Sequence, residues 1–563
     1  MKRFLSKHAD LLLTLVFGLA VFLFWKLRYP FALTYQEQFQ FFLFDGDYFA
    51  ERMAEPGGLA RYVAEFLVQF YNGVTIGAAI LAVLFMTIQL LTWQLMKKSC
   101  DGSWYPQSFL PPLMLWYAMG DENVMLTYTV ALIMAMAMTL VLQQFKESGV
   151  NKWIWWGSLI IAIPLLYWLL GPMVLFVAIA VMPVSVLYAA ACIFLSARML
   201  PFPLQRLLLG IDYYRFPETL PYILMAIPVV IFLLAYCTRF LPKAKSWMVG
   251  AAAVVVAVIG LMCGFGFEEK KYELIEYDYL VRIKDWNGII AKADKQTPDL
   301  PMSVCATNLA LAMTNQLGER AFDFYQRSSE GLLPPFERNF ATTMLTGEAY
   351  FHLGLVNTAQ RFAFEAMEAI PNYNKSARAV KRLAETNLIN GQYEVARKYL
   401  RMLEKTIFYR PWAKRTMTLL GDEQKIDTHP LYGTLRKYRL QEDFLFSDQE
   451  LDKICGQLFL HNQQNQMAAQ YLLMAPLLDR DIPRFMQYVQ VVQNRIQYNP
   501  RSCQEAIAFA FMQQRQQPPR GVVNQMILQQ MNDFARIYSA GGKNAPELER
   551  FRNTVWYYLT VGK

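Results

Sequence analysis

The sequence predicts an all-α protein in two parts: a polytopic membrane bundle of about eight transmembrane helices over residues 1–265, then an α-helical repeat domain. Three observations carry that prediction. Apolar types make up 55% of the 563 residues and charged types only 18%, against roughly 25% charged in ordinary soluble domains. This balance excludes intrinsic disorder and argues against a chain bathed in water throughout. Charge is also unevenly placed, with 17 basic and 13 acidic side chains in 1–265 and 37 and 32 in 266–563. From Glu268 onward the pattern turns polar and helix-periodic, with few strand signals. The length exceeds one compact core, so at least two domains are expected.

Eight windows carry no charge: 11–25, 73–95, 108–119, 124–142, 153–170, 173–197, 220–238 and 247–265. A helix rises 1.5 Å per residue, so about 20 apolar residues cross the hydrocarbon layer. Most windows approach that length; 11–25 lengthens by borrowing 4–10, and 108–119 is short. The first window follows Lys2, Arg3 and Lys7 but ends in Trp25-Lys26-Leu27-Arg28 without a small-residue cleavage pattern, so it reads as an uncleaved signal anchor. Tryptophans 25, 93, 104, 153, 155, 156 and 247 sit near window ends, as an interfacial belt requires. Gly260 and Gly264 form a GxxxG that permits close helix packing.

Lys/Arg near helix ends orient the bundle. With eight spans and a cytoplasmic N-terminus, ten basic residues flank the cytoplasmic ends (Lys2, Arg3, Lys7, Lys97, Lys98, Lys146, Lys152, Arg198, Arg206, Arg215) and five the outer ends (Lys26, Arg28, Arg239, Lys243, Lys245). Seven spans give eight against seven, so the count favours eight and a cytoplasmic C-terminal domain in a bacterial inner membrane. The cluster at 239–245 runs against that arrangement locally.

In the trailing part, Gly347-x2-Tyr350-x3-Gly354-x4-Ala359-x6-Ala366-x4-Pro371 alternates small and aromatic residues at helical-hairpin spacing. Ala384, Gly391 and Ala396 each follow a counterpart by 37 residues, Gly318 precedes Gly354 by 36, and Asp285-Trp286 occupies a similar turn 33 earlier. Over about 268–409 this resembles tetratricopeptide-like repeats, although Asn387, Phe408 and Asp323 depart from the consensus. The resemblance implies hairpins over 266–430 that stack into a solenoid whose groove takes a protein or peptide partner. The bland alternative is a packing module with no partner of its own. Beyond Pro430, residues 431–563 continue as further helical hairpins.

Four histidines (8, 352, 429, 461) do not pair at metal-ligand spacing, and seven cysteines contain no CxxC. No P-loop, GxGxxG or GxSxG occurs. The windows lack the ionisable groups that ion-coupled transporters keep at mid-membrane. The excess of +9 is spread along the chain, without the basic stripe a nucleic acid would need. The partners implied are the lipid bilayer and a protein or peptide.

The first outer loop, 27–72, is acidic and aromatic. It holds Thr34-Tyr35-Gln36-Glu37-Gln38, Asp45-Gly46-Asp47 and a turn at Pro56-Gly57-Gly58. Residues 58–72 form an amphipathic helix, with Leu59, Tyr62, Val63, Phe66, Leu67, Phe70 and Tyr71 on one face and Arg61, Glu65 and Gln69 opposite, which is expected to lie along the bilayer surface. Asp121-Glu122 occupies the next outer turn. This layout over 1–145 resembles GT-C glycosyltransferases, which implies Glu37, Asp45 and Asp47 as a first acidic patch and Asp121 and Glu122 as a second. In such enzymes a carboxylate deprotonates the acceptor or holds Mg²⁺ or Mn²⁺ against a lipid-linked donor's phosphate. Eight spans and a cytoplasmic trailing domain depart from that class. The plain alternative is that these acids are solvated loop residues, with no cofactor implied.

Tyr35-Gln36-Glu37-Gln38-Phe39, Pro56-Gly57-Gly58-Leu59-Ala60, Phe66-Leu67-Val68-Gln69-Phe70 and the closing Asn553-Thr554-Val555-Trp556-Tyr557-Tyr558 resemble an uncharacterised family of Bacteroidota multipass membrane proteins. That resemblance implies architecture and an envelope location and brings no reaction. Two readings stand: an integral membrane protein whose helical repeats bind a partner or scaffold an envelope complex, or a GT-C-like transferase using the five outer carboxylates. Whether the chain is an enzyme stays open.

Overall fold

The computed structural model describes residues 8–100, 102–237, 247–263, 268–337, 339–371, 374–440 and 450–562. Lys2, Arg3, Lys7, Arg239, Lys243, Lys245 and Gly264, used above for orientation and packing, lie outside them. Among the described residues every regular element is a helix, and the isolated bridge between Val124 and Tyr214 is not part of a strand. The chain divides into two compact units. The first comprises Met1–Tyr272 with Ile370–Ala377 and Met402–Pro411; the second comprises Glu273–Ala369, Arg378–Arg401 and Trp412–Lys563. Two short segments of the trailing half therefore fold with the first unit, although their sequence reads as part of the repeats.

In the first unit four helices are long and apolar enough to cross a membrane: Ala9–Arg28, Val74–Met96, Leu126–Glu147 and Lys152–Val181. Ser185–Met199, Tyr222–Cys237 and Trp247–Met262 are apolar but shorter. Leu11, Leu15, Leu19, Ile160, Ile161, Leu187, Val229 and Val256 all stand exposed, an apolar exterior suited to lipid. The eight expected spans do not appear as eight full-length helices among the described residues. Window 108–119 yields a nine-residue helix, Leu110–Ala118, after a 3₁₀ stretch Gly102–Phe109. Pro106, Pro111 and Pro112 lack the N–H groups that would extend an α-helix upstream. Window 173–197 is two helices, Val174–Val181 and Ser185–Met199, because Met182 is extended (φ −160°) ahead of Pro183. Tyr188 donates to the Ile160 carbonyl and Ser196 stands beside Tyr167, so Ser185–Met199 runs parallel to Lys152–Leu170. Gly171, at φ +69°, breaks the apolar run Lys152–Val181 after Leu170, and residues 171–184 carry the chain back between the two helices.

A second parallel pair follows from two hydrogen bonds. Trp247 Nε1 donates to Asp10 Oδ1 at 2.9 Å, and Arg28 donates to the Cys263 carbonyl at 3.3 Å. These join like ends of Ala9–Arg28 and Trp247–Met262, whereas an even number of crossings would make the pair antiparallel. Among the described residues nothing stands close to Gly260. A close helix approach occurs at Gly18, where a Cβ would collide with Sδ of Met86. Polar side chains also join the membrane helices: Thr14 bonds Gln89 (2.9 Å) and Tyr105 (2.6 Å), and Gln89 donates to Ser108 (2.7 Å).

The second unit is built from helices joined by short turns. Asp285, Asn465 and Asp481 each accept a backbone N–H three residues on and so start Trp286–Lys295, Gln466–Leu478 and Ile482–Gln493. Phe340–Leu353 and Val356–Glu368 form a hairpin across two residues, with Tyr350 against Phe362 (4.9 Å between centroids) and Ala359 and Ala366 buried. Gly354 makes the turn at φ +94°, and a Cβ there would stand 2.7 Å from Cβ of Tyr438. Gly354→Ala combines left-handed strain with that clash and is expected to destabilise by about 2 kcal/mol. Denaturant unfolding of the detergent-solubilised protein measures it; an unchanged midpoint would show that the turn relaxes freely.

Candidate functional site

The loop after the first long helix folds into Pro30–Glu37, Gly46–Met53, Gly58–Val68 and a 3₁₀ turn Gln69–Asn72. Its amphipathic helix is turned over relative to expectation. Arg61, Glu65 and Gln69 are 3%, 2% and 6% exposed, while Leu59, Tyr62, Val63, Phe66, Leu67 and Phe70 are only partly covered. The apolar face is met by aromatics of the same loop: Tyr62 lies 5.0 Å from both Phe42 and Phe49, and Phe66 lies 5.5 Å from Phe42.

The polar face points inward because other segments supply its partners. Arg61 bonds Asp212 (2.6 Å), Glu65 (3.1 Å), Glu55 (2.8 Å) and the Asn374 amide oxygen (2.8 Å). Arg52 donates to Glu65 at 2.8 Å and lies over the Tyr48 ring, 4.5 Å from its centroid. Tyr48 donates to the same Glu65 carboxylate. Burial, followed by the Glu65 charge, pushes the Tyr48 phenol well above its ordinary range, so it remains a donor. Two guanidiniums face two buried carboxylates, Glu65 and Asp212, with the more exposed Glu55 and Glu51 at the edge of the centre. Its chemistry is that of a latch, tying 46–68, 212 and 374 together.

The five carboxylates singled out in the sequence differ in their partners. Asp45 Oδ2 pairs with Lys405 Nζ at 2.5 Å, beside a bond from the Phe44 N–H to the Lys405 carbonyl (2.8 Å). Glu37 is buried and accepts from the Tyr409 hydroxyl at 3.4 Å. Asp47 is exposed in the first turn of its helix. Asp121 accepts from the Asn123 N–H (3.0 Å), the Asn123 amide (2.8 Å) and the Tyr214 hydroxyl (2.7 Å). Glu122 accepts from Asn123 (3.1 Å) and lies 3.9 Å from Lys271; burial, with Asp121 beside it, raises its pKa. Among the described residues no group of three or more His, Cys, Asp or Glu side chains could hold a metal ion.

Arg61 and Glu65 carried a readable signal as an i,i+4 pair in an otherwise apolar stretch. Asp212 and Asn374 carried none, because their roles exist only once segments far apart in sequence meet. Removing one partner of a buried ion pair costs about 3–5 kcal/mol. Asp212→Ala should therefore lower unfolding stability by that amount. Asp45→Asn should cost at most about 1 kcal/mol, and Asp47→Asn less than about 0.5 kcal/mol. Equal losses at the three positions would refute the latch.

The second unit holds its own buried ionic centre. Arg378 binds Asp278 with two bonds (2.8 and 2.9 Å), and Arg382 binds Glu348 at 2.6 Å. Burial opposes ionisation of Glu348, but Arg382 and Arg378 outweigh it and hold its pKa at about 2. Burial lowers His352 to about 4 despite Glu348 nearby. Both folded values lie below the ordinary ones, so each group contributes stability at neutral pH that is lost on acidification. His352 should withdraw its share as pH falls from about 6.5 towards 4, and Glu348 as pH falls from about 4.5 towards 2. His352→Gln should flatten the upper limb of the stability–pH curve and leave the lower one; an unaltered upper limb would assign that limb elsewhere.

No curated protein and no solved structure matches the chain. One family model does, over residues 6–562, nearly end to end. The chain therefore belongs to the family of unknown function DUF6057.

Proposed function

We propose that this is a multipass inner-membrane protein that holds its trailing helical domain, a stack of tetratricopeptide-like hairpins, on the face of the membrane opposite its N-terminus, where the domain binds a peptide or protein partner. The observation that carries the sidedness is the parallel pair Ala9–Arg28 and Trp247–Met262, joined at Asp10–Trp247 and at Arg28–Cys263. Parallel helices deliver the chain after 262 to the face reached after 28. Tyr272 supports this by donating to the Gly120 carbonyl and packing 4.7 Å from Tyr29. Lys405, Phe408 and Tyr409, folded with the first unit, meet Asp45, Phe70 and Glu37 of the first loop.

The crossing number is then odd rather than eight, and the charge count keeps the same ratio. Arg239, Lys243 and Lys245 precede Trp247 and join Lys2, Arg3, Lys7, Lys97, Lys98, Lys146 and Lys152 on the N-terminal face. Lys26, Arg28, Arg198, Arg206 and Arg215 fall on the other. The ratio is again ten to five, now without the local contradiction at 239–245. An N-terminus in the cytoplasm and repeats on the outer face follow.

The partner-binding reading is favoured over the transferase because Asp45, Asp121 and Glu37 are engaged by the protein's own side chains. Single cysteines at Asp47, Arg520 and Glu147, all exposed positions, in a background without the native thiols, test the arrangement with a membrane-impermeant maleimide. D47C and R520C should label together from the outer face, and E147C only after permeabilisation. R520C labelling together with E147C would reverse the proposed sidedness.

A further inference from the structure

A cavity of about 460 Å³ in the second unit opens among the turns that end its helices. His352 and Gln470 form its buried floor, Lys284 and Asn315 its exposed rim, and Met313, Leu435 and Met467 part of its apolar wall. The volume is that of a small-ligand site. Its floor is polar and incompletely satisfied. Gln470 is 1% exposed, and its Nε2 donates to the Ala312 carbonyl at 3.2 Å. That bond fixes which end of the amide is which, leaving Oε1 as a buried acceptor without a partner. Nε2 of His352 also lacks a partner, because the nearest Glu348 oxygen lies 3.8 Å away. Buried polar atoms are rarely left so, and each asks for a group to meet it.

The rim adds a cation. Lys284 makes no ion pair among the described residues. Lys284 and Asn315 hold left-handed conformations at φ +60° and +58°, each just past the end of a helix. Arg480 and Arg515 do the same past Leu478 and Gln513 without lining the cavity, so the weight falls on the unpaired ammonium beside the unsatisfied floor.

We propose that this cavity binds a carboxylate with an amide N–H beside it, the chemistry of a peptide C-terminus. Lys284 takes the carboxylate, and Gln470 Oε1 accepts the N–H. His352, neutral at physiological pH, supplies a further nitrogen on the floor. A phosphate fits less well: one ammonium would leave part of a dianion uncompensated beside a buried amide oxygen, which repels anions and needs a donor. The inference rests on the partner-binding reading of the second unit, and names the ligand class for it.

The test uses the full chain in detergent, so it does not depend on sidedness, and the labelling experiment can fail without it or the reverse. Calorimetric titration compares a mixed tripeptide library with free C-termini, the same library amidated, and N-acetylglycine. The free-acid library should bind at least tenfold more tightly than the amides. N-acetylglycine matching the library would identify a small acylated amino acid as the source, and much weaker binding would identify a longer peptide. Lys284→Gly should keep or raise the melting temperature while losing at least tenfold in affinity, and Gln470→Met should lose affinity in a protein that still melts cooperatively. Equal binding of acids and amides, binding by neither, or unchanged affinity in K284G would overturn the proposal.

Discussion

The first unit depends on burying the Arg61 guanidinium, with that of Arg52 beside it, among carboxylates. Arg61 is 3% exposed and Glu65 2%. At such burial an uncompensated charge is costly enough to unfold a domain, so the partners must arrive together. They come from Gly46–Met53, Gly58–Val68, the loop at Asp212 and the distant Asn374. A buried ionic centre of this kind adds little net stability over an apolar packing of equal volume. What it does here is join four segments, because each charge is met by a group from another of them.

That centre explains why the loop helix is inverted. An amphipathic helix beside a bilayer ordinarily offers its apolar face to lipid and its polar face to water. Here Phe42 and Phe49, from the same loop, cover part of the apolar face, and the polar face is occupied by Asp212 and Asn374. The carboxylates that looked catalytic in the sequence have a related fate. Asp45 and Glu37 bond Lys405 and Tyr409, residues that fold with the first unit although the repeat pattern surrounds them. Acids in a loop are ready partners for any cation brought near, and the fold brings near its own.

The two ends of the hydrophobic part are related by two hydrogen bonds that no window count could supply. Hydropathy measures whether a segment prefers lipid; it is silent on whether a proline halts a helix halfway. Pro183 divides one long apolar window into two helices, and Pro106, Pro111 and Pro112 shorten another. Each such division can change the parity of crossings, and parity decides which face everything downstream occupies.

Composition and periodicity determined the helical class, the apolar front, the polar rear and the amphipathic stretch 58–68, because those properties are local and average over many residues. The hairpin at 340–368 was legible for the same reason: the small residues that let two helices approach recur at short spacing. Tertiary structure alone decided which face of 58–68 is buried, that Asp212 and Asn374 complete its charges, and that 370–377 and 402–411 belong with the first unit. It alone gathered Lys284, His352 and Gln470 around one cavity. The physical reason is range. Helix and lipid preference are sums over neighbours in sequence, whereas charge compensation and cavity lining depend on a few atoms whose proximity exists only after the chain has closed on itself.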